Sequence, residues 1–206
     1  MKTKERYQLI IMNENISKAV QVLNQGGIII FPTDTAFGIG CRIDNQEAIE
    51  RLFKIRKRPQ DQAVPVLVSG LKMAKDYARE FSEEVIQKLI KPYWPGALTI
   101  VVRCQKNKIH ELIRGGTETI GLRMPNNTTI LKVIEQVGIP ILGPSANFHG
   151  ENTPFDLKDL NPELVRLVDF VLEGECTLKK PSTVVDVTQA QWKILRQGAL
   201  NITMSL

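Results

Sequence analysis

The stretch from Gly26 to Gly40, GGIIIFPTDTAFGIG, constrains the fold more than any other part of the chain. Ile28-Ile29-Ile30-Phe31 is an apolar, β-branched run too short for a helix, so it reads as a buried strand. Pro32 ends it, because proline has no N–H to give a sheet ladder. Thr33-Asp34-Thr35 then delivers three small oxygen-bearing side chains at the mouth of that strand. Gly38 and Gly40 let the backbone approach a neighbour closely. A plain polar turn and a binding loop held on a rigid strand both fit this pattern.

Around this stretch the apolar periodicity outlines the other elements. Tyr7 to Met12 reads as an edge strand; Ile16, Ala19, Val20 and Leu23 fall at helical spacing, with Gly26-Gly27 as the stop. Asn45 caps a helix whose buried stripe is Ala48, Ile49, Leu52 and Phe53. That helix runs through Arg51, Lys54, Arg56, Lys57 and Arg58 until Pro59 halts it. Such cations complement a helix dipole as a solvated face, and they equally suit a phosphate clamp. Strands are expected at Val64–Val68, Ala97–Arg103, Thr119–Arg123, Val168–Leu172, Thr183–Val187 and Lys193–Leu195. Helices are expected at Leu71–Tyr77, Ser82–Ile90 and Thr128–Val137. After the buried run Ile139–Leu142 comes a second small polar loop, Gly143-Pro144-Ser145-Ala146-Asn147. The alternation predicts a single α/β domain over residues 1–206, with a mixed, twisted sheet.

Composition narrows the chemistry. A formal net charge of +5 over 206 residues favours anionic partners without choosing among nucleotides, phosphates and RNA. Cys41, Cys104 and Cys176 are scattered and odd in number, which argues against a disulfide framework or structural zinc and fits a reducing compartment. With only His110 and His149, no histidine-based or other protein-ligated metal site is expected. The N-terminal MKTKERYQLI shows no apolar signal core and no run reaches membrane-spanning length, so a cytoplasmic protein without membrane contact is expected. The chain contains no Walker-type phosphate loop, no Gly-x-Gly-x-x-Gly fingerprint and no Gly-x-Ser-x-Gly elbow. Phosphates, if bound, fall to arginines, hydroxyls and backbone N–H groups.

Six polar loops occur in order: PTDTAFGIG, IRKRP, TIGLRMP, GPSAN, PSTVVDV and LRQG. Together they resemble the YrdC-type family of threonylcarbamoyl-AMP synthases, in its short single-domain branch, from about Ala19 to Gly198. The resemblance implies an open, twisted mixed sheet with flanking helices around a basic cavity. It implies a nucleotidyltransferase that joins L-threonine, bicarbonate and ATP, the ATP carrying Mg²⁺, into threonylcarbamoyl-AMP and pyrophosphate. The product would pass to tRNA threonylcarbamoyl-transfer proteins, which modify adenosine beside the anticodon, and contact with tRNA is a further implied partner.

By the same resemblance, Thr35, Ser69, Arg123 and Ser182 fall at threonine-contacting positions. Arg58, Gln62, Thr119, Ser145, Asn147, Thr153 and Arg196 fall at ATP-contacting positions, and Arg56, Arg58, Ser145 and Asn147 carry the catalytic work. The chain departs from the family pattern with Arg56 where a lysine is usual and Ser69 where many members have histidine. It is also about two residues longer around Gln60 to Val64, which bears on Gln62. The implied chemistry is threonine carbamate attacking the α-phosphorus, which needs positioning and charge neutralisation rather than a protein nucleophile. Two rivals stand beside it: a side-branch enzyme using another amine, and a non-catalytic RNA-binding module, for which the 6% aromatic content is thin.

Overall fold

The computed structural model describes residues 3–202, with side chains described from residue 10 onward. The first helix, α1, spans Thr3–Asn24. Tyr7 to Met12 therefore belongs to a helix and not to an edge strand. Nothing between Tyr7 and Gly26 breaks the helical backbone, and the adjacent Ile10 and Ile11 both face solvent, a pattern no half-buried strand produces. Gly26, at φ +80°, supplies the left-handed stop.

The strands follow in chain order: β1 Ile29–Phe31, β2 Gly38–Gly40, β3 Val66–Leu67, β4 Leu98–Arg103, β5 Thr119–Arg123, β6 Ile141–Leu142, β7 Phe170–Val171, β8 Thr183–Asp186 and β9 Lys193–Arg196. Two further helices matter to the site, α2 at Gln46–Arg56 and α3 at Thr128–Val137. The Asn45 side chain accepts from Ala48 N–H at 2.9 Å and starts α2. α2 stops at Arg56, two residues before the Arg58-Pro59 step, and Lys57 turns left-handed at φ 52°. A residue preceding proline is pushed out of the helical region, so the chain unwinds ahead of Pro59.

Hydrogen bonding divides the strands into two ladders, β2-β1-β7 and β6-β3-β5-β4-β8-β9, each with parallel and antiparallel pairs. The ladders meet where β2 runs antiparallel to the segment around β6. There Ile43 N–H bonds Pro140 O, Leu142 N–H bonds Cys41 O, Ile39 N–H bonds Pro144 O and Ala146 N–H bonds Phe37 O, at 2.9–3.1 Å. This seam makes the mixed sheet continuous and sets the loops at its two sides next to each other. It depends on a glycine: a Cβ at Gly40 would lie 1.9 Å from the Leu142 carbonyl oxygen.

Two apolar clusters cover the sheet. In the smaller, α1 packs on α3, burying Ile16, Ala19 and Leu23 against Ile130, Val133 and Ile134 above Ile29 and Phe31 of β1. Each such aliphatic contributes about 1.5–3 kcal/mol, so Leu23→Ala would cost about 2–5 kcal/mol. The larger cluster holds α2 and the central strands β3, β4 and β5 together through Ile49, Leu52, Val66, Ile100 and Leu122. None of the described helices is long and apolar enough to cross a membrane.

Candidate active site

The loop after β1 is a rigid polar turn. The Thr33 hydroxyl donates to Ala36 O at 2.7 Å and accepts from the N–H groups of Thr35 and Ala36. With that proton engaged, the Thr35 hydroxyl, 3.0 Å away, keeps its lone pairs for other donors. Arg123, at the end of β5, fills one of them from Nη1 at 2.7 Å. The same guanidinium donates from Nη2 to Asp34 Oδ1 and from Nε to Gly96 O at 3.0 Å. Asp34 Oδ1 also accepts from Asn126 N–H, while its Oδ2 is buried without a partner. Burial pulls the Arg123 pKa below its ordinary value, with the Asp34 carboxylate opposing. Arg123 retains N–H groups on Nη1 and Nη2 beyond those three bonds.

Three more guanidiniums face the same cleft. Arg56, the last residue of α2 and 2% exposed, donates from Nε to Asn147 O at 3.1 Å and from Nη2 to Asn147 Oδ1 at 3.4 Å. Its Nη1 is buried without a partner. Arg58 donates to the carbonyls of Gln62 and Ala63 at 3.0 and 2.7 Å. Arg196 donates to Ser182 O at 3.0 Å and to the Ser182 hydroxyl at 3.1 Å. All these acceptors are neutral, and among the described residues none of the three arginines has an ion-pair partner. Burial, with Arg58 adding repulsion, pulls Arg56 down to about 10; burial also lowers Arg58 and Arg196. The cleft therefore holds four guanidiniums against one carboxylate, an excess that an anionic ligand would neutralise.

The β2–β6 seam and the β8–β9 hairpin bring these groups together. Gly38 bridges to Ser145, and Phe37 N–H bonds Pro154 O at 3.0 Å, drawing Thr153 to the rim. Val184 of β8 pairs with Arg196 of β9, and the Thr183 hydroxyl ties the returning chain by bonding Leu200 O and Gly198 N–H. The result is one open-mouthed cleft. Thr35, Arg56, Arg58, Arg123, Ser145, Thr153, Ser182 and Arg196 all line it.

Four residues singled out in the sequence are not on that lining. Asn147 lies behind it: its Nδ2 donates to Phe148 O and Glu151 O, which turns its amide oxygen toward Arg56. Gln62 touches Arg58 only through its main-chain carbonyl. The Thr119 hydroxyl pairs with Thr117 at 3.0 Å, and the Ser69 hydroxyl sits 3.7 Å from the Met73 sulfur. Conversely, the residue-level reading passed over Thr99 and the tie between Asp34 and Arg123. Each carried a signal: a lone hydroxyl inside the apolar run Leu98–Val102, and a carboxylate at the end of a buried strand.

Fold and cleft define a mixed α/β protein with a cationic cleft. The chain belongs to the Sua5/YciO/YrdC family, whose model, described as telomere recombination, matches residues 21–198. An uncharacterized protein of Haemophilus influenzae is 33% identical over 186 residues, 89% of each chain. The threonylcarbamoyl-AMP synthase of Pyrococcus abyssi is 31% identical over 183 residues, 88% of this chain but 53% of that protein. Among solved structures, P. abyssi Sua5 complexed with L-threonine superimposes with a TM-score of 0.84 at 30% identity, over 89% of this chain and 54% of that one. Escherichia coli YciO superimposes with a TM-score of 0.79 at 30% identity, over 89% and 88% of the two chains.

Proposed function

We propose that the cleft condenses L-threonine, bicarbonate and ATP into threonylcarbamoyl-AMP and pyrophosphate, for threonylcarbamoylation of tRNA adenosine. The observation that carries this reading is the convergence of Arg56, Arg58 and Arg196, each bonded only to neutral oxygens, on one cleft beside the Arg123–Thr35 pair. A triphosphate is a ligand whose charge matches three uncompensated guanidiniums. The remaining N–H groups of Arg123 suit a single carboxylate, because Asp34 already neutralises most of its charge.

The chemistry then follows from placement. Bicarbonate takes up a proton and loses water to give carbon dioxide, to which the threonine amine adds with loss of a proton, giving a carbamate. A carbamate oxygen attacks the α-phosphorus of ATP, the bond to the β-phosphate oxygen breaks, and pyrophosphate leaves in line. Arg58 and Arg196 would neutralise the phosphates at the rim, while Arg56 contributes its charge from the floor, since its unpaired Nη1 is sealed from solvent. Ser145 would offer its hydroxyl to the nucleotide. Asn147 would act through Arg56. Mg²⁺ enters with ATP as part of the substrate; the one carboxylate at the arginine cluster, Asp34, is held by Arg123, and no cluster of three or more His, Cys, Asp or Glu occurs among the described residues.

A second reading keeps the adenylation and changes the amine. It is favoured by Ser69, which stands in place of a family histidine and turns toward Met73 rather than into the cleft. A mass spectrum of the adenylate formed from ATP, bicarbonate and a panel of amino acids tests both. A threonylcarbamoyl-AMP mass supports the first reading; an adduct of another amine alone supports the second; no adduct with any amine overturns both.

A further inference from the structure

Thr99 sits near the start of β4, 4% exposed, and its side chain reaches the cleft floor from inside the sheet. Its Oγ1 lies 2.9 Å from the Ser182 hydroxyl, and among the described residues it has no other hydrogen-bond partner. The contact is set by the sheet, since Leu98 of β4 pairs in parallel with Thr183 of β8, directly after Ser182. Ser182 Oγ is held on another side by Arg196 Nη2 at 3.1 Å, and a guanidinium can only donate.

These contacts allow two arrangements of the hydroxyl protons. If Ser182 donates to Thr99, the Thr99 proton is the one left for the cleft floor, without a protein acceptor among the described residues. If Thr99 donates, its proton is satisfied and Ser182 accepts from both Thr99 and Arg196. The Ser182 O–H is then left as a free donor facing the cleft.

We propose that Thr99 is a positioning residue that fixes Ser182 as a hydrogen-bond donor to the carboxylate of the amino-acid substrate. Arg123 and Ser182, on the cleft's lining, would then share that carboxylate, while Arg196 spends one N–H in orienting Ser182 and turns the rest to the phosphates. This inference rests on the amino-acid-plus-ATP reading of the cleft and goes beyond it by adding a buried residue that acts on one substrate only.

The test is isothermal titration of L-threonine and, separately, of Mg·ATP into wild type, Thr99→Val and Thr99→Ser. Valine keeps the β-branched shape and strand propensity and removes only the hydroxyl; serine restores the hydroxyl. The expected result is a threonine Kd weakened about tenfold or more in Thr99→Val, ATP affinity within about twofold of wild type, and recovery in Thr99→Ser. Thermal unfolding of the variants confirms that each is folded. Unchanged threonine binding in a folded Thr99→Val, or an equal loss for both ligands, overturns the positioning role while leaving the cleft's function intact. Wild type that binds ATP but no amino acid overturns the inference together with the reading beneath it.

Discussion

Arg123 Nη1 donates to the Thr35 hydroxyl at 2.7 Å across 88 residues of sequence, joining the end of β5 to the loop after β1. With Asp34 on the adjacent nitrogen, this contact makes a buried arginine part of both the fold and the site.

Removing the countercharge should therefore cost stability. In Asp34→Asn the guanidinium remains buried with its charge uncompensated, and we expect a loss of about 3–5 kcal/mol in urea unfolding. A loss below about 1 kcal/mol would show that water reaches Arg123 and that Asp34 is not its structural partner.

Arg56 is expected to behave in the opposite way. It is a buried cation without an anionic partner, so Arg56→Met should leave the unliganded protein within about 1 kcal/mol of wild type or more stable. Its Mg·ATP affinity should nonetheless fall about tenfold or more. Calorimetry with and without nucleotide separates the two effects, and unchanged ATP affinity would remove Arg56 from the site.

The seam between the ladders is a further point of failure. Gly40→Ala places a methyl group against the Leu142 carbonyl, and we expect about 1–3 kcal/mol of destabilisation with loss of ATP binding, because Thr35 and Ser145 are held on opposite sides of that seam. Wild-type stability in that variant would mean that β2 and β6 separate freely.

Cys41 gives a pH signature. Burial raises its thiol from 9.0 to about 12. Between those values the unfolded chain has lost a proton the native state still holds, so its contribution to stability is full below pH 9 and declines by about 1.4 kcal/mol per pH unit above it. Cys41→Ala should flatten the alkaline fall in unfolding free energy, and an unchanged slope would contradict the assignment. Arg56 acts in the other direction, its cost being relieved once pH rises through about 10.

Much of this architecture was legible in the chain itself, because apolar periodicity reports which backbone is buried. β5 at Thr119–Arg123 and α3 at Thr128–Val137 fall where spacing and capping place them. Tyr7 to Met12 misled because a helix with two adjacent exposed isoleucines shows neither period clearly. Ordered polar loops pointed to eight residues that line one cleft, since a loop at the end of a buried strand is fixed by that strand. What stayed hidden were pairings across the sheet: Asp34 with Arg123, Asn147 with Arg56, and Thr99 with Ser182. Such contacts depend on strand register between segments far apart in sequence, which local spacing does not encode.

The account stands on Arg58 and its neighbours holding a triphosphate beside an amino acid. Pyrophosphate release, measured for wild type and Arg58→Ala with ATP, L-threonine and bicarbonate, tests that most directly. We expect wild-type release to require all three substrates and to fall at least about a hundredfold in the variant, as loss of a phosphate clamp implies. Near-wild-type release by Arg58→Ala, or wild-type release indifferent to bicarbonate, would contradict it.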